Sequence, residues 1–411
     1  MTDLNEATSS QEGIQAASHR VVSIDIFRGL TMAVMIFVNA LSDVRGLPWW
    51  THHAPAEVDV MTYVDMVFPF FLFAVGLSMP LSIVQRLKRN PSLPALWLHV
   101  VFRSLALLVL GLILANAEKA DRVRLGMSGS TWALLALISA GLFLNIYPKS
   151  ERYKGLFRTL KFLGLMGLVI LLALFRRTTS DGGSEWLDDS YPEILGLIGY
   201  SYFAVALLYI PTRRWKWSPL VWFALLITFC ALATARLVPL PGNLPFYFWP
   251  FDNGAMACII MAGVVTISIF MRPDRSFEAR RDLPIAVGFG LLMLAAGRVL
   301  VPLGISKIRA TPTWCLYSIG ASVLLFALLY WICDVKRKTG WAFFVRPAGS
   351  NTLTTYLLPD LWIYLFAALG ITYLDTHLNA GWPGVVKTVA FTVLILALAG
   401  ALTRAKVRLQ L

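Results

Sequence analysis

The chain is 411 residues long, 57% hydrophobic and only 14% charged, with a mean hydropathy of +0.67. Soluble globular domains carry about one quarter charged residues, so a soluble fold and a disordered chain are both excluded. The net charge of +13 would suggest nucleic acid for a soluble protein, but here Lys and Arg sit in short loops between apolar runs. There they read as topology signals and contacts to anionic headgroups, and no nucleic-acid partner is expected.

Residues 1–20 are polar, poor in large apolar side chains, and expected to form a disordered cytoplasmic tail. From Val21 onward about twelve apolar segments, within a range of ten to twelve, are long enough to be transmembrane helices, which need roughly 20 residues to span a bilayer core. Their limits are 22–44, 61–84, 95–116, 129–147, 156–175, 191–211, 219–238, 254–271, 283–304, 312–334, 349–370 and 382–403. Strand-length alternation is absent, which rules out a β-barrel. The fold class is therefore an all-α polytopic membrane protein, with residues 21–411 as one transmembrane domain. Breaks near Pro192 and Pro359 would lower the number of crossings.

Loops carrying Arg86, Lys88 and Arg89, then Arg213, Arg214 and Lys216, then Lys336, Arg337 and Lys338, alternate with loops carrying Asp43, Glu57, Asp59, Asp181 and Asp188. This asymmetry predicts that both termini are cytoplasmic, in a multi-pass protein of the cell (inner) membrane. Cys230, Cys258, Cys315 and Cys333 show no metal-ligand or redox spacing and read as small buried hydrophobes.

Ionisable groups inside apolar segments are costly and point to function. Asp25 and Arg28 share one face of segment one, and Arg103 lies at similar depth in segment three. A structural ion pair accounts for the first two residues, and an anion site formed by two guanidinium forks accounts for Arg28 with Arg103. Near the opposite face stand Asn39, the adjacent His52 and His53, and Asp65, a carboxylate able to orient an imidazole. Adjacent histidines rarely converge on one ion, so no metal is expected. Arg28 and Asn39 are eleven residues apart, about 16 Å along a helix. A ligand with an anionic head and a distant reactive end, such as an acyl-coenzyme A, has the length to touch both clusters.

The run VVSIDIFRGLTMAVMIFVNA, then HHAP, then MTYVDMVFPFFLFAVGLSMPLS, resembles the opening of the heparan-alpha-glucosaminide N-acetyltransferase-like transmembrane acyltransferases. FDNG at 251–254, KIRATPT at 307–313, Asp334 and GSNTLTTY at 349–356 extend the resemblance to about residue 360. The segment 56–60 departs from the turn common in that family. The resemblance implies transfer of an acetyl group from cytoplasmic acetyl-CoA to an amine or hydroxyl of an extracytoplasmic sugar or glycan. It implies His53 as general base or acyl carrier, with Asp65 and Asn39 as catalytic partners. Arg28, Lys307 and Asn351 fall on matching positions and are expected, with Arg103, at the cofactor. A homodimer is one oligomeric option. A transporter or flippase of a sugar-linked solute is the rival reading of the same ionisable residues.

Overall fold

The computed structural model describes residues 21–179, 181–240, 249–270, 279–371 and 373–409; the expected tail at 1–20 lies outside them. The described chain is helical apart from loops and a two-residue antiparallel hairpin, Arg177–Thr178 with Ser184–Glu185. The longer helices are α1 (Val22–Ser42), α2 (Val67–Arg89), α3 (Leu93–Asn116), α4 (Gly129–Leu144), α5 (Lys154–Leu174) and α6 (Glu193–Thr212). There follow α7 (Ser218–Thr234), α8 (Ala255–Val265), α9 (Ala279–Val299), α10 (Pro312–Tyr330), α11 (Thr352–Ala368) and α12 (Gly381–Arg404). Each apolar segment read from the sequence overlaps one of them.

Among the described residues, eight helices are long and apolar enough to cross a membrane. The regions Gly129–Leu144, Ser218–Thr234 and Ala255–Phe270 are apolar but shorter, and α11 has 17 residues, below the roughly 20 of a full crossing. The chain is thus a multi-pass helical membrane protein. α6 begins directly after Pro192, and α11 runs unbroken through Pro359.

Sequence explains where several helices start. Ser92 caps α3 by accepting from the Ala95 amide, Ser128 caps α4 through Thr131, and Thr311 caps α10 ahead of Pro312, as short side-chain oxygens do at helix starts. At α8 the motif FDNG works as a unit. Gly254 takes a φ of +89°, while Asn253 accepts from the Ala255 amide at 3.1 Å and donates to the Ala310 carbonyl at 2.9 Å. Two motifs that are distant in sequence are joined there. α1 has no cap of its own. The carboxylate of Asp334 supplies one, accepting from the amides of Val22 and Ser23 at 3.0 Å each.

α8 is buried on all sides and packs on α2, α6, α7 and α10. α1, α2 and α10 share this centre, and α3 packs with α6. α5 is apolar yet buries only Gly164, the pattern of a helix facing lipid. The central crossings are close. A Cβ added to Gly76 of α2 would lie 1.9 Å from the Ile260 carbonyl oxygen of α8, and one added to Gly29 of α1 would lie 2.1 Å from the Val345 carbonyl oxygen. Only glycine fits at such contacts.

The Asp334 contact yields a test. Asp334→Ala removes two hydrogen bonds to a charged acceptor and should lower stability by about 1.5–3 kcal/mol, seen as a lower midpoint of thermal unfolding in detergent. An unchanged midpoint would mean that water caps α1 equally well.

Candidate active site

The second apolar segment was expected to be helical from residue 61, but the chain is irregular through Tyr63 and makes a single tight turn at Val64–Met66 before α2 begins. The reason is Asp65. Its carboxylate, with the side chain only 1% exposed, accepts from the Thr62 amide at 2.9 Å, the Ala54 amide at 3.3 Å and the Thr62 hydroxyl at 3.3 Å. A helical path through 61–64 would not present those donors. The Trp314 indole of α10 donates to the Asp65 carbonyl at 3.0 Å, pinning the turn to the helical core.

The remaining Asp65 oxygen faces His53, with Nδ1 and Oδ1 2.7 Å apart. With Asp65 ionised, this contact places a ring hydrogen on Nδ1, so that in the neutral imidazole Nε2 carries the lone pair. The imidazole is 42% exposed, so the pair has a buried anchor and an accessible working end. Lys307 brings Nζ to 3.2 Å from Nε2 and 3.4 Å from Nδ1. Burial pushes its ammonium below the usual lysine range, and the carboxylates of Asp65 and Glu193 partly oppose that shift. His52 points elsewhere, toward the Thr51 hydroxyl at 3.0 Å, while its carbonyl accepts from the Thr62 hydroxyl.

Asp59 is engaged by Arg309 and by the Ile305 amide at 3.1 Å, and the Arg309 contact holds its carboxyl below the usual carboxylate range. This clip joins the histidine loop to the loop that carries Lys307. Asn39 lies exposed on the last turn of α1, outside the contacts that link His53, Asp65 and Lys307.

At the opposite ends of α1 and α2 is a cavity of about 1370 Å³. Basic residues from several elements line it: Arg28, Arg86, Arg103, Arg213, Lys216 and Arg408. Asp25 is there too, bonded to Arg28 at 2.8 Å. Along α2 the lining residues Phe71, Val75, Ser78, Ser82 and Arg86 recur at three- or four-residue intervals, one face of a helix. The cavity therefore follows α2 from its basic end to six residues from Asp65, about 9 Å of rise. Arg28 and Arg103 are in its wall, whereas Lys307 stands at the histidine end.

Asn351 lines the cavity but spends its amide on the chain end. Its Nδ2 donates to the Val407 carbonyl at 2.9 Å, and its Oδ1 accepts from the Thr354 hydroxyl at 2.6 Å. The tail is also held by Leu409 N to Thr354 Oγ1 at 3.1 Å and Arg408 N to Asn145 Oδ1 at 3.1 Å. Arg86, Arg213 and Arg408 carry no local motif and read only as topology charges; tertiary packing alone reveals their convergence. Thr62, three residues before Asp65, is a capping pattern visible in sequence. Among the described residues, no group of three or more His, Cys, Asp or Glu is placed to hold a metal ion.

These features define a helical membrane protein with a His–Asp pair at one end of its core and a deep cationic cavity at the other. The chain belongs to the family described as a domain of unknown function (DUF5009), which matches residues 20–237. It is also similar to the heparan-alpha-glucosaminide N-acetyltransferase of Homo sapiens, 35% identical over 152 residues, covering 34% of this chain and 22% of that protein. The heparan-alpha-glucosaminide N-acetyltransferase of Mus musculus is 34% identical over 102 residues, 25% of this chain and 15% of that protein. The chain thus spans less than a quarter of the length of these curated relatives in the matched stretches, and both support the family resemblance.

The depressed Lys307 ammonium is directly measurable. In competitive acylation over a pH series, read by mass spectrometry, Lys307 should reach half-maximal labelling at a lower pH than exposed lysines such as Lys154. Asp65→Asn removes a charge that favours the ammonium, so it should move that midpoint lower still. A midpoint equal to that of exposed lysines would contradict the burial.

Proposed function

We propose that this chain is an integral-membrane acetyltransferase, which binds acetyl-CoA in the basic cavity from the cytoplasmic side and acetylates an amine or hydroxyl of an extracytoplasmic sugar or glycan. The observation that carries the reading is the cavity's course along α2, from a cluster of cations at one end toward a buried carboxylate that holds an accessible histidine at the other. Arg86 to Phe71 is about 22 Å of helix, a path suited to a phosphate-bearing head at the mouth and a long pantetheine arm reaching inward. The names of the two relatives support the reaction class.

In this mechanism His53 Nε2 takes the proton from the acceptor N–H or O–H as its heteroatom attacks the thioester carbonyl. The new C–N or C–O bond forms, the C–S bond breaks, and the proton on His53 returns to the departing thiolate. Asp65 holds the Nδ1 hydrogen in place and stabilises the imidazolium that forms. Lys307, beside Nε2, supplies positive charge where the tetrahedral oxyanion develops, and Asn39 at the rim of α1 adds a hydrogen-bond donor. A covalent acetyl-histidine fits the same geometry, with Nε2 as nucleophile. Arg28 and Arg103 hold phosphate oxygens, while Asn351 acts through the tail that brings Arg408 to the cavity. Exposed Trp49 and Trp50 offer faces on which a sugar ring can stack.

Two measurements test the proposal. His53→Ala should leave coenzyme A binding intact and lower acetyl transfer at least about 100-fold, while His52→Ala, whose ring is turned away, should be much milder. In sealed vesicles given labelled acetyl-CoA on the cytoplasmic face and amino sugars on the other, label should appear on the external sugar. Label confined to acceptors on the cytoplasmic face would overturn the transmembrane transfer, and full activity in His53→Ala would overturn the base.

The alkaline limb of the pH–rate profile follows from Lys307. Because its ammonium loses its proton below the usual lysine range, activity should fall at a pH below that expected for an ordinary lysine. Lys307→Arg, which stays charged, should move that limb upward. A limb unaffected by this substitution would remove Lys307 from the mechanism.

A further inference from the structure

Three buried side-chain nitrogens, two of them on residues that line the basic cavity, have no hydrogen-bond partner among the described residues. Arg86 Nε, His99 Nε2 and Arg103 Nε are each shielded from solvent and bonded to nothing among the described residues. The groups are neighbours: His99 lies within electrostatic reach of both Arg86 and Arg103, and the two arginines feel one another. They come from two helices. On α3, His99 is one turn from Ala95 and one turn from Arg103, both of which line the cavity, and Arg86 lines it from the last turn of α2. The Arg103 guanidinium lies over the Tyr202 ring, 4.5 Å from its centroid, which fixes its plane and leaves its edge for a ligand.

Such a cluster is incomplete as it stands. Buried polar nitrogens without partners and adjacent like charges are each unfavourable, and among the described residues no carboxylate is ion-paired with Arg86 or Arg103. Asp25, the acidic residue in the cavity wall, is bonded to Arg28. The missing component is a compact group with several acceptor oxygens and more than one negative charge. We propose that Arg86, His99 and Arg103 form a subsite for a phosphomonoester, the dianionic terminal phosphate that distinguishes coenzyme A from its dephospho form. The assignment deepens the acetyltransferase reading and rests on it for the identity of the nucleotide. A phosphatidic acid headgroup carries the same chemistry from the lipid side, so the experiment separates the two sources.

Full-length protein in detergent is titrated with coenzyme A and with dephospho-coenzyme A, then reconstituted in nanodiscs with and without phosphatidic acid. The wild type should bind coenzyme A at least about tenfold more tightly than the dephospho form. Arg86→Gln and His99→Leu should each shrink that preference while leaving affinity for the dephospho form nearly unchanged, Arg103→Gln should shrink it as well, and His99→Asn, which keeps a donor, should restore part of it. A variant that merely loosened the fold would weaken both ligands together. Equal binding of the two nucleotides by the wild type, or a preference that survives all three substitutions, would overturn the subsite while leaving the acetyltransferase reading in place. Binding of neither nucleotide, with phosphatidic acid retained through these three side chains, would overturn the coenzyme A assignment and give the subsite to lipid.

Discussion

The crossing of α2 and α8 at Gly76 and Gly263 is the constraint from which the rest of the structure follows. A Cβ at Gly263 would lie 2.3 Å from the Phe73 carbonyl oxygen, so both helices present bare backbone at the contact, and any side chain there forces them apart. α8 also packs on α10, whose Trp314 holds the Asp65 carbonyl. The separation at the glycines therefore sets how Trp314 meets Asp65, and through Asp65 how His53 is aimed. At its other end the same rigid α2 delivers Arg86, Lys88 and Arg89 to the cavity. One close contact near the middle of a helix coordinates chemistry at both of its ends.

The two ends solve opposite electrostatic problems. At the histidine end a fully buried carboxylate is satisfied by two amides, a hydroxyl and an imidazole, so its charge is compensated by fixed partners. This makes the Asp65 turn a stiff base on which a partly exposed ring can work. At the basic end positive charge exceeds what Asp25 can offset. An arrangement of that kind is stable only because the mouth of the cavity is solvated or filled, and it favours an anionic ligand over a neutral one by charge alone.

Much of this was legible in the sequence, unevenly. The helices were visible because apolar runs of spanning length leave little choice of structure in lipid, and the neighbours His53 and Asp65 were visible because only eleven residues separate them in one loop. Boundaries were less so: residues 61–66 are as apolar as a helix start, yet the demand of Asp65 for amide donors draws them into a turn. Lys307 was singled out by a motif position, but its place beside His53, 254 residues away, comes from the docking of two loops through Asp59 and Arg309. Asn351 was likewise conspicuous, and its grip on the Val407 carbonyl is a backbone contact that side-chain chemistry does not announce. The basic wall was hidden for a related reason, since each arginine alone is indistinguishable from a loop cation that sets orientation.

The capping of α1 by Asp334 bears on the order in which the protein is assembled. α1 leaves the ribosome before the other described helices, but the acceptor for its leading amides is more than three hundred residues behind it, and the Val345 and Gly349 backbone that Gly29 fits against follows later still. Until that region is synthesised, α1 can pack on α2 but its leading turn is uncapped and Gly29 has no partner backbone. Ribosomes stalled before residue 334 should therefore hold a chain in which α1 can pack on α2 while its first turn stays open to hydrogen exchange and proteolysis, and protection of that turn should follow the emergence of residues 334–349 from the ribosome.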